Sequence, residues 1–121
     1  MVVDNYKRQP LEFDIMNEDK PIQHCKFDGT KALVTQYDGV SFLEGLMPEG
    51  EYSADEFERY LIERCWDKGR SDSKDMLISI GLDNYDPYEI IKKTHGTDYD
   101  DWNWYKFTGE SLTWKDVNPR R

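Results

Sequence analysis

Cations are few in this chain, cysteines fewer, and no long apolar run is present. The 121 residues hold 16 Lys and Arg against 25 Asp and Glu, a formal net charge of -9. Nucleic-acid binding needs clustered cations to neutralise phosphates, so this balance argues against direct contact with DNA or RNA. The same deficit argues against an anionic membrane surface. No stretch approaches the roughly 20 apolar residues of a membrane helix. The opening "MVVDNYKRQP" turns to charge after three apolar residues, so no secretory leader is expected. Two cysteines, Cys25 and Cys65, are no disulfide framework. A cytoplasmic protein with reduced thiols and no membrane contact is the expectation.

Proline and glycine are spread too thinly to mark a linker, and no repeat or low-complexity tract interrupts the chain. One domain over residues 1–121 is therefore expected, with 1–9 and 118–121 fraying. Mean hydropathy is low at -0.90. Aromatic residues reach 14%, and because each ring buries a large area, a core can still form.

The first third alternates like a sheet. In "LEFDIM" (11–16), Leu11, Phe13 and Ile15 interleave with Glu12 and Asp14, the period of a half-buried strand. "NEDKP" (17–21) reads as a turn, and "IQHCKF" (22–27) and "KALVTQY" (31–37) flank an Asp-Gly hairpin signal at Asp28 and Gly29. Asp38 and Gly39 end this antiparallel meander. Residues 40–52 are apolar enough to pack, but Gly45, Pro48 and Gly50 break any long element.

Three short helices follow. Ser53 with Glu56 forms a capping box, Tyr52 and Phe57 a hydrophobic staple, and Phe57, Tyr60, Leu61 and Cys65 an apolar face. A second helix begins near Ser71 or Ser73, turns Met76, Leu77 and Ile80 inward, and stops at Gly81. A third has Asp86 as cap, Pro87 at its first position, Lys92 and Lys93 in its last turn, and Gly96 as its end. Residues 98–101 then turn the chain into "WNWYKF" (102–107), a strand with aromatics on both faces. "SLTWKDV" (111–117) is a short strand or a helical turn. The class is α+β: an N-terminal antiparallel meander, three short central helices and a C-terminal aromatic strand.

Chemistry-bearing motifs are sparse. His24, Cys25, Cys65 and His95 are all the His and Cys residues present, but neighbours in a strand leave opposite faces, and no metal-ligand spacing connects them. Asp98 and Asp100 match the first positions of an EF-hand loop, yet Trp102, Asn103 and Gly109 stand where ligands and the turn glycine belong. No phosphate loop or nucleophile elbow is present. No metal and no cofactor are expected.

Two features stand above this background. Between Glu44 and Glu58 lie six acids and no base; helix-start chemistry explains Asp55 and Glu56, leaving Glu44, Glu49, Glu51 and Glu58. The second is the aromatic set around Asp98, Asp100 and Asp101, in which Tyr99 and Trp102 are the candidates for exposed anchors. Together these nine residues suggest a surface for a basic protein partner, such as a nucleic-acid-binding enzyme, with carboxylates standing in for phosphates. Large rings serve cores first, so burial of both faces of the last strand is the competing expectation. Catalysis by Asp or Glu in a small hydrolase or nuclease, with or without a divalent metal, is the alternative; carboxylates converging in a concave pocket would favour it.

In size, charge balance and the segment "YDPYEIIKKTHGTDYDDWNWYKFTGESLTWKDV" (85–117), the chain resembles short proteins of phages and mobile elements in Firmicutes, including anti-CRISPR inhibitors. The resemblance implies an inhibitor or regulator and transfers no binding residue.

Overall fold

A computed structural model describes residues 6–41 and 46–119. Strand β1 (Leu11–Asn17) turns through Glu18 and Asp19 into β2 (Lys20–Phe27), and the Asp28 turn leads into β3 (Lys31–Gln36). The first turn is shorter than the sequence suggested. Glu18 takes the left-handed conformation that so tight a hairpin demands, with φ 51°. In the second turn, Asp28 Oδ1 accepts from the backbone N–H groups of Thr30 and Lys31, each at 2.8 Å.

A short strand not foreseen from the sequence, β4 (Gly50–Ser53), pairs with β3, and β5 (Asn103–Phe107) pairs with β1. The sheet is antiparallel throughout, in the order β4-β3-β2-β1-β5. The α+β class, the meander and the aromatic last strand are all present. β4 carries little strand propensity of its own; the edge of β3 supplies its pairing.

Helix α1 (Ala54–Glu63) begins at the foreseen capping box: Glu56 N–H donates to Ser53 Oγ at 3.2 Å and Ser53 N–H to Glu56 Oε1 at 3.0 Å. Helix α2 (Ser73–Ser79) follows, then α3 (Pro87–Thr94), where Asp86 accepts from the amides of Tyr88 and Glu89. α3 closes on His95 (φ 57°), one residue before the expected glycine, and Gly96 continues in the same region at φ 62°. Residues 111–117 resolve into a fourth short helix, α4 (Trp114–Val117).

The helices cover one face of the sheet. Phe13, Cys25, Phe27 and Tyr105 from the strands meet Phe57 and Leu61 of α1 and Tyr88 and Ile91 of α3. Phe13 stacks on Tyr105 at 4.3 Å and Phe27 on Phe57 at 4.6 Å between centroids; each buried ring contributes about 1.5–3 kcal/mol. Trp104 points to the opposite face of β5 yet is also sealed, its indole N–H donating to Glu18 O at 2.7 Å. Both faces of the last strand are therefore buried there, and Trp102 is left outside the strand.

One polar side chain is fully buried in the sheet. Gln23 donates to Met47 O at 2.6 Å and accepts from Leu46 N–H at 2.9 Å, so it ties the segment before β4 to β2. Residues 6–9, expected to fray, are instead held down. Tyr6 and Arg8 bond Glu58, Arg8 also bonds Asp55, and Gln9 bonds Glu89 and Lys92. Among the described residues no helix is long and apolar enough to cross a membrane.

Candidate protein-binding surface

The loop of residues 97–102 leaves α3 and enters β5. Its inner side is clamped by Arg64, at the C-cap of α1. The guanidinium donates to Asp101 Oδ2 at 2.6 Å and Oδ1 at 2.9 Å, to Gly96 O at 2.8 Å and to Asn103 O at 3.1 Å. A planar fork on a carboxylate fixes orientation as well as distance. Arg64 is nearly buried. Burial works against its charge, but the bonds to Asp101 together with the electrostatic pull of Tyr105, Asp101 and Asp98 offset it, so its pKa is raised. Within the loop, Asp98 Oδ1 accepts from Asp100 N–H at 2.9 Å, a local turn bond.

Tyr99 and Trp102 emerge from this clamped loop 69% and 47% exposed, with Asp98 and Asp100 beside them. Trp102 packs edge-on against Trp114 of α4, centroids 6.3 Å apart. Asp101, by contrast, faces inward to Arg64.

The remaining acids of the sequence-derived set are spread out. Glu44 lies outside the described residues. Glu49 Oε2 accepts from Gln36 N–H at 2.6 Å and so caps the end of β3. Glu51 is exposed on β4, opposite Leu33. Glu58 is a structural hub that accepts from Tyr6 OH at 3.1 Å, Arg8 Nε at 3.3 Å and Tyr88 OH at 2.8 Å. β4 and β5 are the outermost strands, so Glu51 and the 97–102 loop sit four strand spacings apart, ~19 Å. The two blocks form separate patches. Those left facing outward are Glu51 at one edge and Asp98, Tyr99, Asp100 and Trp102 at the other.

Several carboxylates that sequence reasoning left over are engaged with backbone amides. At the outer edge of β5, Asn103 N–H donates to Asp101 Oδ1 at 3.0 Å, Tyr105 N–H to His95 O at 2.7 Å and Phe107 N–H to Glu110 Oε1 at 2.8 Å. Unpaired edge amides invite foreign strands, and here each finds an internal acceptor.

The thiols and imidazoles do not converge. Burial pushes both the Cys25 and Cys65 thiols up to about 12, which removes thiolate character at neutral pH. Cys65 Sγ donates to Leu61 O, whereas His95 Nε2 meets Glu110 at 2.8 Å. His24 lies on the open face of the sheet, opposite in direction to Cys25. Its Nδ1 is 2.9 Å from Asp14 and its Nε2 2.9 Å from Glu12, while Tyr37 OH donates to Asp14 at 2.6 Å. The Asp14 bond, then the Glu12 bond, raise the His24 pKa against the opposing effect of burial. Among the described residues no group of three or more His, Cys, Asp or Glu side chains is arranged to hold a metal ion.

Sequence reasoning missed two contributors. Arg64 stands at a helix end, where a cation suits the dipole, and only the tertiary return of residues 96–103 makes it a clamp. Met76 and Ile80 were placed inward, but of that α2 set only Leu77 is buried; Met76 and Ile80 line an open groove. The His24 row was legible in principle, since strand alternation and a tight hairpin together put Asp14 opposite His24. In comparison with known proteins, no family model matches the chain, nor does any curated protein or solved structure.

Proposed function

We propose that this chain is an acidic protein-binding module, an inhibitor or regulator that engages a basic protein surface through the 98–102 loop. The observation that carries this reading is the exposure of Tyr99 and Trp102 beside Asp98 and Asp100 on a loop clamped by Arg64. Two large rings in solvent are a liability for an isolated domain and a resource for an interface, where Tyr and Trp are favoured anchors. A loop already fixed from behind loses little freedom on binding. The charge of -9 would steer a cationic partner. The basic groove of a nucleic-acid-handling enzyme is the class of surface that fits, with Asp98 and Asp100 in the place of phosphates and the rings against guanidinium groups. Two free cysteines suit a cytoplasmic setting, and the likeness of residues 85–117 to proteins of phages and mobile elements points the same way.

The test is capture from a bacterial lysate at stepped salt, with three baits: the native chain, Tyr99→Ser/Trp102→Ser, and Glu49→Lys/Glu51→Lys. A partner released by salt, lost with the loop variant and kept with the β4-edge variant supports the proposal. A partner retained by the loop variant overturns it.

A second reading, a small carboxylate hydrolase, has one specific observation in its favour. Glu12, Asp14, Asp19 and Glu110 border a cleft of about 440 Å³ on the open sheet face, together with His24 and Lys106. Both His24 nitrogens are engaged with carboxylates, so the ring offers no lone pair as a base in this arrangement. A screen with nuclease and esterase substrates, with Asp14→Asn as control, decides it: turnover lost in that variant would establish the reading.

A further inference from the structure

Two Asp-Gly steps stand in this sequence, Asp28–Gly29 and Asp38–Gly39, and no Asn-Gly. A glycine after an aspartate leaves its main-chain nitrogen open to attack the aspartate's own carboxyl, because no Cβ screens it. The fold treats the two steps differently. Asp28 Oδ1 accepts from the Thr30 amide, the Thr30 hydroxyl and the Lys31 amide, each at 2.8 Å. The Lys31 and Thr30 bonds hold its carboxyl down to about 2, so it stays a carboxylate, the poorer electrophile. Ring closure at Asp28 would swing its Cγ away from these donors and break all three bonds.

Asp38 has no such hold. Asp38 and Gly39 are the central residues of the turn that leaves β3, closed by Val40 N–H donating to Tyr37 O at 3.2 Å. Gly39 has φ +80°, the third position of a type II turn. Asp38 is exposed. Among the described residues its carboxylate has no hydrogen-bond or ion-pair partner, and the Gly39 N–H has no acceptor. The flanks of the turn are fastened: Tyr37 N–H donates to Ile22 O at 3.1 Å, and the Gln36 side-chain amide to Ser41 O at 2.6 Å.

We propose that Asp38–Gly39 is a modification site, where the chain converts spontaneously to an isoaspartyl linkage while the fold protects Asp28–Gly29. The Gly39 nitrogen attacks Asp38 Cγ. The N–Cγ bond forms, a Cγ–O bond breaks, and the hydroxyl leaves with the amide proton as water, closing a cyclic imide. Water then adds to the Asp38 main-chain carbonyl carbon and breaks its bond to nitrogen. The main chain now runs through Cβ and Cγ, one carbon longer, and the former main-chain carbonyl is a carboxylate. Mass and charge end unchanged, and solvent is the only co-reactant. The added carbon falls between the two fastened flanks, so the displacement passes to Val40, which packs against the core. The inference is independent of what the 98–102 loop binds.

The experiment holds the full chain for weeks in mildly acidic buffer at body temperature, then digests it with trypsin and separates the peptides. Residues 32–59 should yield a second species of identical mass, and electron-transfer fragments should place the isoaspartate at residue 38. Conversion within residues 27–31 should run at least about tenfold more slowly, since a single bond to a charged group is worth about that factor. In urea the two rates should converge, because the protection belongs to the fold. Thr30→Val, at an exposed position, removes the hydroxyl bond and should speed conversion at Asp28 alone. Asp38→Glu should abolish the second species from residues 32–59. Equal rates at the two steps in the folded chain, faster conversion at Asp28, or an unmodified Asp38 once the chain in urea has converted would overturn the proposal.

Discussion

Arg64 and Asp101 meet in a two-pronged ion pair, Nη1 to Oδ2 at 2.6 Å and Nη2 to Oδ1 at 2.9 Å, that bridges the end of α1 to the approach to β5. The same guanidinium holds the carbonyls of Gly96 and Asn103. Arg64→Ala should cost about 1.5–3 kcal/mol, the scale of hydrogen bonds to a charged group. Hydrogen exchange should quicken first at Asn103 and Tyr105. Urea unfolding with native-state exchange checks both; an unchanged loop would show that Arg64 is not the clamp.

Gly96 lies against the ring of Tyr105. Its φ is +62°, and a Cβ there would come within 2.9 Å of Tyr105 Cδ2. Gly96→Ala should cost about 1–2 kcal/mol from the left-handed backbone alone, with displacement of the buried ring adding to it. Thermal unfolding and near-ultraviolet circular dichroism should both report the change.

Gln23→Leu keeps the bulk of the side chain and removes its hydrogen bonds. Met47 O and the Leu46 amide then lose their partner. The expected cost is about 1–3 kcal/mol, with faster exchange in residues 46–53. Comparison of urea midpoints measures it.

The folded-state pKa of His24 is raised above its ordinary 6.5 by its bonds to Asp14 and Glu12. Its contribution to stability is therefore complete below 6.5 and is lost as pH rises through the folded value. The difference in unfolding free energy between the native chain and His24→Gln should be largest near pH 6 and shrink in mildly alkaline solution. Lys106 and Lys26 also face this row, and both remain in the variant, so the difference isolates the imidazole. A pH-independent difference would contradict the double carboxylate contact.

Local signals carried furthest in the sequence. Ser53 with Glu56, and Asp86 with Pro87, are self-contained capping chemistries, and α1 and α3 begin where they say. Strand alternation gave β1 to β3 and the core side of Phe13 and Ile15. What could not be read were features made by distant return of the chain. β4 depends on the edge of β3, and the covering of Trp104 depends on the β1–β2 turn, whose Glu18 carbonyl takes its indole N–H. The acidic set fared by the same rule. Glu58 and Asp101 looked surplus because their partners, Tyr88 and Arg64, lie 30 and 37 residues away. The rings of Tyr99 and Trp102 stay outward while the loop that bears them is anchored by Arg64 on Asp101 and by the Trp102 carbonyl, which accepts from Glu18 N–H at 2.9 Å.

The amides along the outer side of β5 are all answered from within, by Asp101, His95 and Glu110. An extended chain approaching this border would find the donors taken, so the sheet does not grow past β5.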